Sequence, residues 1–145
     1  MTSEQAATIM VIDDDDVDIR MLKRGMKKSG FDNRIEIAND GEAALCKLRQ
    51  LSDADKSHSP YIVLLDLNMP VMNGFEFLTA LRQDENLKQA VIFVLTTSDR
   101  AEDRQLAYSH NVAGYLLKDD AGPNFSNHLS MLQKYLLSVK LPVNG

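Results

Sequence analysis

Five short apolar runs, rich in β-branched residues, alternate along the chain with segments of helical periodicity. Two of them, Tyr61–Leu65 and Ala90–Leu95, are apolar at every position, which is typical of parallel strands buried on both faces. The other three runs are Thr8–Ile12, Arg34–Ala38 and Ala113–Leu117. Strands that alternate regularly with helices form a parallel sheet with helices on both of its faces. We therefore predict a doubly wound α/β fold with five strands and five helices.

Residues that can cap a helix stand before four of the predicted helices, and each is followed by an acid three positions later. The four pairs are Asp15 with Asp18, Asn39 with Glu42, Asn73 with Glu76, and Asp99 with Glu102. In this arrangement a side-chain oxygen accepts free backbone N–H groups of the first turn, and the acid complements the helix dipole. Pro123 suits the first turn of the last helix. We predict an extended surface loop over residues 52–60, between the second helix and the third strand.

The chain has 145 residues, a length that favours one domain, which we expect to span 1–145 with a core at about 7–138 and no room for an output domain. Acidic residues outnumber basic ones by 21 to 16, and this balance argues against nucleic acid or an anionic membrane surface as the main partner. No apolar run approaches the roughly 20 residues of a membrane span, so we expect a cytoplasmic protein. Cys46 is the only cysteine, which excludes an internal disulfide, and we expect it to be buried.

Polar residues stand at the carboxyl ends of four predicted strands. Asp13 and Asp14 follow the first strand and Asp66 follows the third, while Thr96 follows the fourth and Lys118 the fifth. Taken singly, they have ordinary explanations: an acidic helix start, a loop carboxylate, a capping hydroxyl and a surface lysine. In an open parallel sheet, however, ligands bind in the crevice at the carboxyl ends of the strands. We therefore expect these five side chains to converge at one edge of the sheet.

Three neighbouring carboxylates repel one another unless a cation lies between them. Their hard oxygen atoms, without histidine or thiolate, favour Mg²⁺ or Mn²⁺, and Mg²⁺ usually keeps coordination positions open for phosphoryl oxygens. A carboxylate can also act as a nucleophile and accept a phosphoryl group as an acyl phosphate. A nearby lysine and hydroxyl would then neutralise and hydrogen-bond the transferred oxygens. The pattern therefore predicts phosphorylation of an aspartate.

Four motifs, in this order and at these spacings, resemble the receiver domain of two-component response regulators. They are Val11–Asp15 (VIDDD), Leu64–Gly74 (LLDLNMPVMNG), Val94–Ser98 (VLTTS) and Gly114–Lys118 (GYLLK). The resemblance covers about residues 7–138. It implies a flavodoxin-like fold with strand order 2-1-3-4-5. It also implies a signalling module whose only chemistry is its own Mg²⁺-dependent phosphorylation and dephosphorylation, rather than an enzyme.

The resemblance implies a role for each residue at the predicted metal site. Asp66 would be the phosphoacceptor and also a metal ligand. Asp14 would bind Mg²⁺ directly and Asp13 would bind it through water, while Asn68 would contribute its backbone carbonyl. Mn²⁺ would be able to substitute for Mg²⁺.

A second set of residues would couple phosphorylation to the surface. By the same resemblance, Lys118 would bond to the phosphoryl group, Thr96 would follow it, and Tyr115 would be the aromatic switch. The side chains of Asn68 and Ser98 would tune hydrolysis. The affected surface would comprise the fourth helix, the fifth strand and the fifth helix.

One position departs from the family pattern. The family usually has proline, often in a cis bond, after the lysine, whereas Asp119 follows Lys118 in this chain. A cis bond without proline costs about 2.5–4 kcal/mol, so we expect a trans bond here.

Several features resemble a narrower branch, the stand-alone receivers that partner phytochrome-type histidine kinases. They are the string Asp66–Pro70 (DLNMP), the string Leu95–Ser98 (LTTS) and the long loop before Pro60. This resemblance implies a sensor histidine kinase of the phytochrome type as the partner. It leaves open whether the phosphoryl group moves onward to a histidine phosphotransfer protein.

The last predicted helix carries apolar residues at spacings of four and three, which favour docking against the sheet. These residues are Phe125, Leu129, Leu132, Leu136 and Val139. A further set widens the apolar surface, and we expect a homodimer through this region together with the fourth helix and fifth strand. This set comprises Met131, Tyr135, Leu137 and Leu141.

A function of another class also uses an aspartate nucleophile and Mg²⁺. It is a phosphatase or phosphotransferase that acts on a separate substrate. Such enzymes generally need a cap domain or a large insertion to make room for that substrate, and this chain has neither.

Overall fold

The structure, a computed structural model, describes residues 7–54, 60–69 and 71–142. Its strands are β1 (Thr8–Ile12), β2 (Ile35–Ala38), β3 (Tyr61–Leu65), β4 (Val91–Thr96) and β5 (Gly114–Leu117). Its helices are α1 (Asp16–Lys28), α2 (Gly41–Ala54), α3 (Gly74–Gln83), α4 (Ala101–Ser109) and α5 (Ser126–Ser138). Two short 3₁₀ turns, Lys118–Asp120 and Pro123–Phe125, connect β5 to α5. The predicted alternation of five strands and five helices is confirmed.

The five strands form one parallel sheet in the order β2-β1-β3-β4-β5. This is the predicted order. The register pairs Ile12 with Leu65, Leu65 with Val94, and Val94 with Tyr115. The carboxyl ends of β1, β3, β4 and β5 are therefore nearly level, so the residues that follow them share one edge of the sheet.

Helices cover both faces of the sheet, and each face has its own core. Successive side chains of a strand point to opposite faces. Met10 and Ile12 of β1 accordingly belong to one buried cluster, whereas Ile9 and Val11 belong to the other. The first cluster includes side chains of α2, α3 and α4, and the second includes side chains of α1 and α5. Burial on both faces explains why β3 is apolar throughout and why β1 is apolar at every position after Thr8.

Two of the four predicted helix starts are confirmed. Asp15 caps α1, where its side chain accepts hydrogen bonds from the backbone N–H groups of Val17 and Asp18. Asn73 caps α3 in a complete capping box, because the Glu76 side chain also accepts the Asn73 backbone N–H. These bonds satisfy N–H groups that have no partner inside the helix.

The predicted caps of α2 and α4 are wrong. At α2 the side chain that accepts a first-turn N–H group belongs to Asp40, one residue after the predicted Asn39. The N-cap of α4 is Arg100, which makes no side-chain capping bond. Asp99 instead lies 3.4 Å from the Arg104 guanidinium. In both cases several consecutive polar residues could have capped the helix, and the N-cap is the residue after the predicted one.

Two further expectations, both about α2, are wrong. The helix continues to Ala54, so residues 52–54 are helical rather than part of the predicted loop. Residues 55–59 of that loop lie outside the described residues, as does Pro70 of the LLDLNMPVMNG motif. Cys46 is exposed, not buried. The buried face of α2 is formed by Ala44, Leu45 and Leu48, and Cys46 lies beside that face rather than on it.

The chain reaches α5 through a kinked turn. Pro123 belongs to the 3₁₀ turn before the helix rather than to its first turn, and Asn124 has a positive φ of 52°. Of the predicted apolar stripe, Phe125, Leu129 and Leu132 are buried and Leu136 is partly buried. Val139 is 38% exposed, contrary to the prediction, because α5 ends there and the residue is its C-cap. Leu137 is 83% exposed and points away from the core. Within the described residues, no helix combines the length and the apolar character needed to cross a bilayer.

Candidate functional site

Three aspartates lie together at the carboxyl ends of β1 and β3. We call Asp13, Asp14 and Asp66 the acidic cluster, because each offers a carboxylate oxygen and these oxygens all lie within 4.8 Å of one another. Asp13 and Asp66 are 2% and 6% exposed, whereas Asp14 is open to solvent. The cluster thus has two buried carboxylates and one exposed carboxylate, an arrangement that a metal ion or a donor group can reach from the Asp14 side.

Lys118 brings a positive charge to the acidic cluster from the end of β5. Its Nζ lies 2.8 Å from Asp13 Oδ2 and 3.7 Å from Asp66 Oδ2. A third carboxylate, Asp18 on the first turn of α1, lies closest, at 2.7 Å. The lysine side chain is 10% exposed, so its charge is largely shielded from solvent and is matched by these acids.

Burial dominates the protonation behaviour of Asp13 and Asp66, but not that of Lys118. Removal from water raises the pKa of Asp13 to about 6, although the hydrogen bonds from Lys118 and from the Asp15 backbone work in the opposite direction. Burial also raises the pKa of Asp66, against the attraction of Lys118. Burial alone would lower the pKa of Lys118, but its hydrogen bonds to Asp13 and Asp18 outweigh this effect and raise it. Burial therefore destabilises the charged forms of Asp13 and Asp66, and a bound cation would offset this effect.

The loop after β3 is held close to the site by a glycine. Gly74, the first residue of α3, donates its N–H to the Leu67 carbonyl at 3.0 Å. A Cβ at Gly74 would lie 2.7 Å from Leu67 Cα and 2.8 Å from the Asp66 backbone oxygen, so no larger residue fits without movement. Within this loop, the exposed Asn68 donates its backbone N–H to Asp66 Oδ1 at a long 3.4 Å. Asn68 thus lies beside the acidic cluster, with its side chain toward solvent.

Thr96 and Tyr115 are linked through Ser98. Thr96, at the end of β4, is fully buried, and its Oγ1 accepts the Ser98 N–H at 3.3 Å. The Tyr115 hydroxyl donates to the Ser98 carbonyl at 2.9 Å, and burial raises the pKa of that phenol. The Ser98 hydroxyl itself donates to Asp103 on α4 at 2.6 Å. A movement of Thr96 would therefore also affect Tyr115 and α4, because Ser98 is hydrogen-bonded to Thr96, to Tyr115 and to Asp103 of α4.

The residues after Lys118 do not displace it from the site. The bond to Asp119 is trans, as expected, since the described part of the chain contains no cis peptide bond. Asp119 and Asp120 are exposed on the following 3₁₀ turn. The Lys118 side chain still reaches Asp13. Replacement of the usual proline by Asp119 is thus compatible with a lysine inside the site.

Asp18 is the residue of this site that the sequence did not predict. Its position, three residues after the N-cap Asp15, indicated the acid of a capping pair. In the structure the Asp15 N–H donates to Asp13 Oδ1, and the Asp18 side chain accepts from Lys118 instead. The available signal was position: Asp18 lies in the first turn of α1, which begins three residues after Asp13 at the end of β1.

The donor set of the acidic cluster fits a hard divalent cation. All three side chains offer carboxylate oxygens, and neither histidine nor cysteine contributes a ligand atom. The raised pKa values of Asp13 and Asp66 reflect buried negative charge that such a cation would neutralise. A carboxylate beside a bound cation and a fixed ammonium has the surroundings that phosphoryl transfer requires.

Comparison with known proteins agrees with the fold. The family model of the response regulator receiver domain matches residues 9–129. The chain is 32% identical over 137 residues to the probable methanogenesis regulatory protein FilR2 of Methanothrix harundinacea, with 94% of this chain and 88% of FilR2 covered. It is 34% identical over 116 residues to the response regulator Rcp1 of Synechocystis sp., with 80% and 79% covered.

Two solved structures extend the comparison to three dimensions. The Mn²⁺-bound form of Rcp1 matches with a TM-score of 0.78 at 31% identity, covering 94% of this chain and 99% of Rcp1. The phosphorylated cyanobacterial phytochrome response regulator RcpA matches with a TM-score of 0.80 at 27% identity, covering 94% and 98%. The similarity therefore extends over most of the chain, and the family match over residues 9–129 includes the ends of the four strands at the site.

Proposed function

This chain belongs to the response regulator receiver domain family, and we propose that Asp66 is the residue that accepts a phosphoryl group from its histidine kinase partner. The observation that carries this proposal is the placement of Asp66. Its buried carboxylate lies within the acidic cluster and 3.7 Å from the Lys118 ammonium. Asp13 and Asp14 lie in the same cluster but come from β1, where they are better placed to hold a cation beside Asp66.

The cation in this proposal is Mg²⁺, with Mn²⁺ as a substitute. Asp13, Asp14 and Asp66 would hold it, together with the backbone carbonyl of Asn68. Support comes from the all-oxygen donor set and from the family relative Rcp1, whose structure is that of an Mn²⁺-bound form. When bound, the cation would neutralise the phosphoryl oxygens and the carboxylates that surround them.

In the proposed transfer, Asp66 acts as the nucleophile. One of its Oδ atoms forms a bond to phosphorus while the phosphorus–nitrogen bond of the kinase phosphohistidine breaks. The electron pair of the broken bond stays on the imidazole nitrogen, which takes up a proton from solvent. Lys118 shifts its ammonium toward the transferred oxygens, and the Thr96 hydroxyl donates a hydrogen bond to one of them.

The added charge provides the driving force for a change at the surface. A phosphoryl group brings about 1.5–2 negative charges into the crevice. If Thr96 moves toward it, the loop that carries Ser98 is pulled as well, and Tyr115 can follow into the vacated space. The surface that responds would be α4, β5 and α5. A few charge-assisted hydrogen bonds of roughly 1.5–3 kcal/mol each are enough to invert a two-state equilibrium, which takes about 5.5 kcal/mol.

The side chains of Asn68 and Ser98 would tune the hydrolysis of the acyl phosphate. Both lie next to the phosphorylation site, two residues after Asp66 and Thr96. In the structure the Asn68 side chain faces solvent and Ser98 is partly exposed. Each can therefore influence the approach of water. We propose no turnover of a separate substrate, so the chemistry is limited to the chain's own phosphorylation and dephosphorylation.

The partners follow from the same proposal. A phytochrome-type histidine kinase is favoured by the similarity to RcpA, which is itself a phytochrome response regulator. Onward transfer to a histidine phosphotransfer protein is compatible with the site. A homodimer through α4, β5 and α5 is supported by exposed apolar side chains there, among them Leu106, Tyr108 and Leu137. Light scattering with and without phosphorylation would measure this association.

Phosphoryl transfer to Asp66 can be tested with a small phosphodonor. We expect phosphoramidate and Mg²⁺ to add one phosphoryl group to the protein, and EDTA to prevent it. Peptide mass spectrometry after borohydride reduction of the acyl phosphate should place the modification at Asp66. Asp66→Asn should abolish it, whereas Asp53→Asn, at an exposed acid of α2, should leave it unchanged. Modification at another residue, or multiple turnover of an added phosphoester, would refute the proposal.

A further inference from the structure

The Lys118 ammonium is shared among three carboxylates that come from three elements. Asp13 follows β1, Asp66 follows β3, and Asp18 lies on α1. The distances to Nζ are 2.8, 3.7 and 2.7 Å, respectively. The Lys118 ammonium is therefore hydrogen-bonded to Asp13 and Asp18, but not to the proposed phosphoacceptor Asp66.

Asp18 differs from the other two acids in what else it can do. Asp13 and Asp66 belong to the acidic cluster, whose ligand atoms lie close together, but Asp18 is outside it. Its side chain is 21% exposed, and its described hydrogen bond is the one from Lys118. A first-turn aspartate does complement the dipole of α1, but Asp16 on the same turn does this without contacting the lysine.

We propose that Asp18 is a positioning residue that retains the Lys118 ammonium on the α1 side of the site, in competition with the phosphoryl group on Asp66. This inference rests on the proposed function. An ammonium has three donors on a flexible stem and follows the strongest negative charge within reach. As the phosphoryl group arrives, Lys118 must give up part of its interaction with Asp18 to reach the transferred oxygens.

The consequence is a restraint on phosphorylation that can be removed without touching the acidic cluster. Without the Asp18 charge, one carboxylate fewer competes with the phosphoryl group for the Lys118 ammonium. The ammonium is then more available to the phosphoryl oxygens as the O–P bond forms. This effect belongs to the transferring group rather than to the binding of the donor. It should therefore increase the maximal rate of phosphorylation and leave KM for the donor nearly unchanged.

The test compares Asp18→Asn with Asp16→Asn. Both variants remove one negative charge from the first turn of α1, but only the first changes a contact of Lys118. With phosphoramidate and saturating Mg²⁺, we expect Asp18→Asn to raise the maximal rate about threefold to tenfold over Asp16→Asn, the range for a partly exposed charge-assisted contact. Asp18→Glu, which retains the carboxylate, should return the rate to that of the parent. Mg²⁺ affinity should be the same in the Asn variants, because Asp18 is not in the acidic cluster.

The outcomes separate this inference from the proposed function. If the parent protein takes up no phosphoryl group on Asp66, the proposed function fails. If the parent is phosphorylated but Asp18→Asn reacts no faster than Asp16→Asn, the competition does not exist and the inference is overturned. A slower reaction of Asp18→Asn would also overturn it, since Asp18 would then guide the lysine to Asp66 instead of retaining it. Asp18→Ala gives a second variant for the same comparison should Asp18→Asn fold poorly.

Discussion

Asp66 carries a negative charge in surroundings that disfavour it when no cation is bound. It is 6% exposed, burial raises its pKa, and Asp13 beside it is equally shielded. We therefore expect Asp66→Asn to stabilise the metal-free protein at pH 7, because the variant removes a buried charge for which the effect of burial outweighs the attraction of Lys118. The melting temperature of the variant should therefore lie above that of the parent. Thermal unfolding in EDTA measures this change.

The matched control for that experiment is Asp14→Asn. Asp14 belongs to the same acidic cluster but is exposed, so its replacement should change stability by less than about 0.5 kcal/mol. In Mg²⁺ the advantage of Asp66→Asn should shrink, because the parent then gains a cation that the variant binds less well. A metal-free Asp66→Asn protein that melts below the parent would show that the carboxylate stabilises the fold.

Single residues were predictable from sequence where a strand ends abruptly, and less so elsewhere. Asp66 follows five buried strand residues, so its place at the sheet edge followed from the pattern. Asp18 had a known position on a helix, but the sequence did not say whether its side chain would cap the backbone or reach Lys118. Cys46 lay among apolar positions of α2, yet a rotation of about 100° per residue separates neighbours on a helix, and it faces solvent.

At the scale of elements, one arginine joins three segments at the end of the sheet opposite the acidic cluster. Arg82, in the last turn of α3, donates to the backbone carbonyls of Lys88 and Ala90 before β4, at 2.7 and 2.8 Å. It also donates to the carbonyls of His110 and Asn111 before β5, at 2.8 and 3.1 Å. The guanidinium thus holds α3 against the starts of two strands.

Removal of this arginine should weaken the fold without affecting the chemistry. We expect Arg82→Met to destabilise the protein by about 2 kcal/mol, because four backbone carbonyls, two of them in partly buried hydrogen bonds, lose a charged donor. Urea unfolding would measure the loss. Arg104→Met, which removes an exposed arginine of α4, should cost under about 1 kcal/mol. The phosphorylation rate of folded Arg82→Met should stay within about twofold of the parent; a larger change would link this end of the sheet to the site.

Strands were easier to place from the sequence than helix starts. Each predicted strand agrees with the structure to within one residue at either end, because an apolar run ends where burial ends. The start of α4 shows the opposite case. Several residues there could cap a helix, the N-cap is Arg100 without a side-chain bond, and only Ala107 of the helix is buried. With little burial to fix it, the position of α4 depends on contacts such as that of Ser98 with Asp103.

For the molecule as a whole, the type of sheet and the order of its strands were predicted from different information. Periodicity predicted a parallel sheet covered on both faces, and the two clusters of buried residues on either side of β1 confirm it. The strand order came from the family resemblance, since periodicity within a segment carries no information about its neighbours. The convergence of the site residues depends on both, because strand ends that lie far apart in sequence, such as Ile12 and Leu65, become adjacent only in the right strand order.

The coupling of fold and site makes stability depend jointly on Mg²⁺ and pH. The pKa of Asp13 is raised from 3.8 to about 6, so the folded protein binds a proton more tightly than the unfolded chain. The contribution of Asp13 to the stability of the metal-free protein therefore falls as pH rises from about 4 through about 6. Above that range Asp13 is charged in the folded protein, and the destabilisation caused by its burial is complete. A cation binds the deprotonated form, so Mg²⁺ should offset this destabilisation mainly above pH 6.

Thermal unfolding in Mg²⁺ and in EDTA, at equal ionic strength, isolates this effect. At pH 7.5, Mg²⁺ at about 100 times its Kd should contribute about 2.7 kcal/mol. This corresponds to a rise in melting temperature of roughly 5–10 °C. At pH 5 we expect less than half of that rise, because protons compete with the cation for Asp13 and Asp66. Asp13→Asn should reduce the difference between the two pH values. An equal rise at both pH values in the parent would show that Asp13 is not part of the cation site.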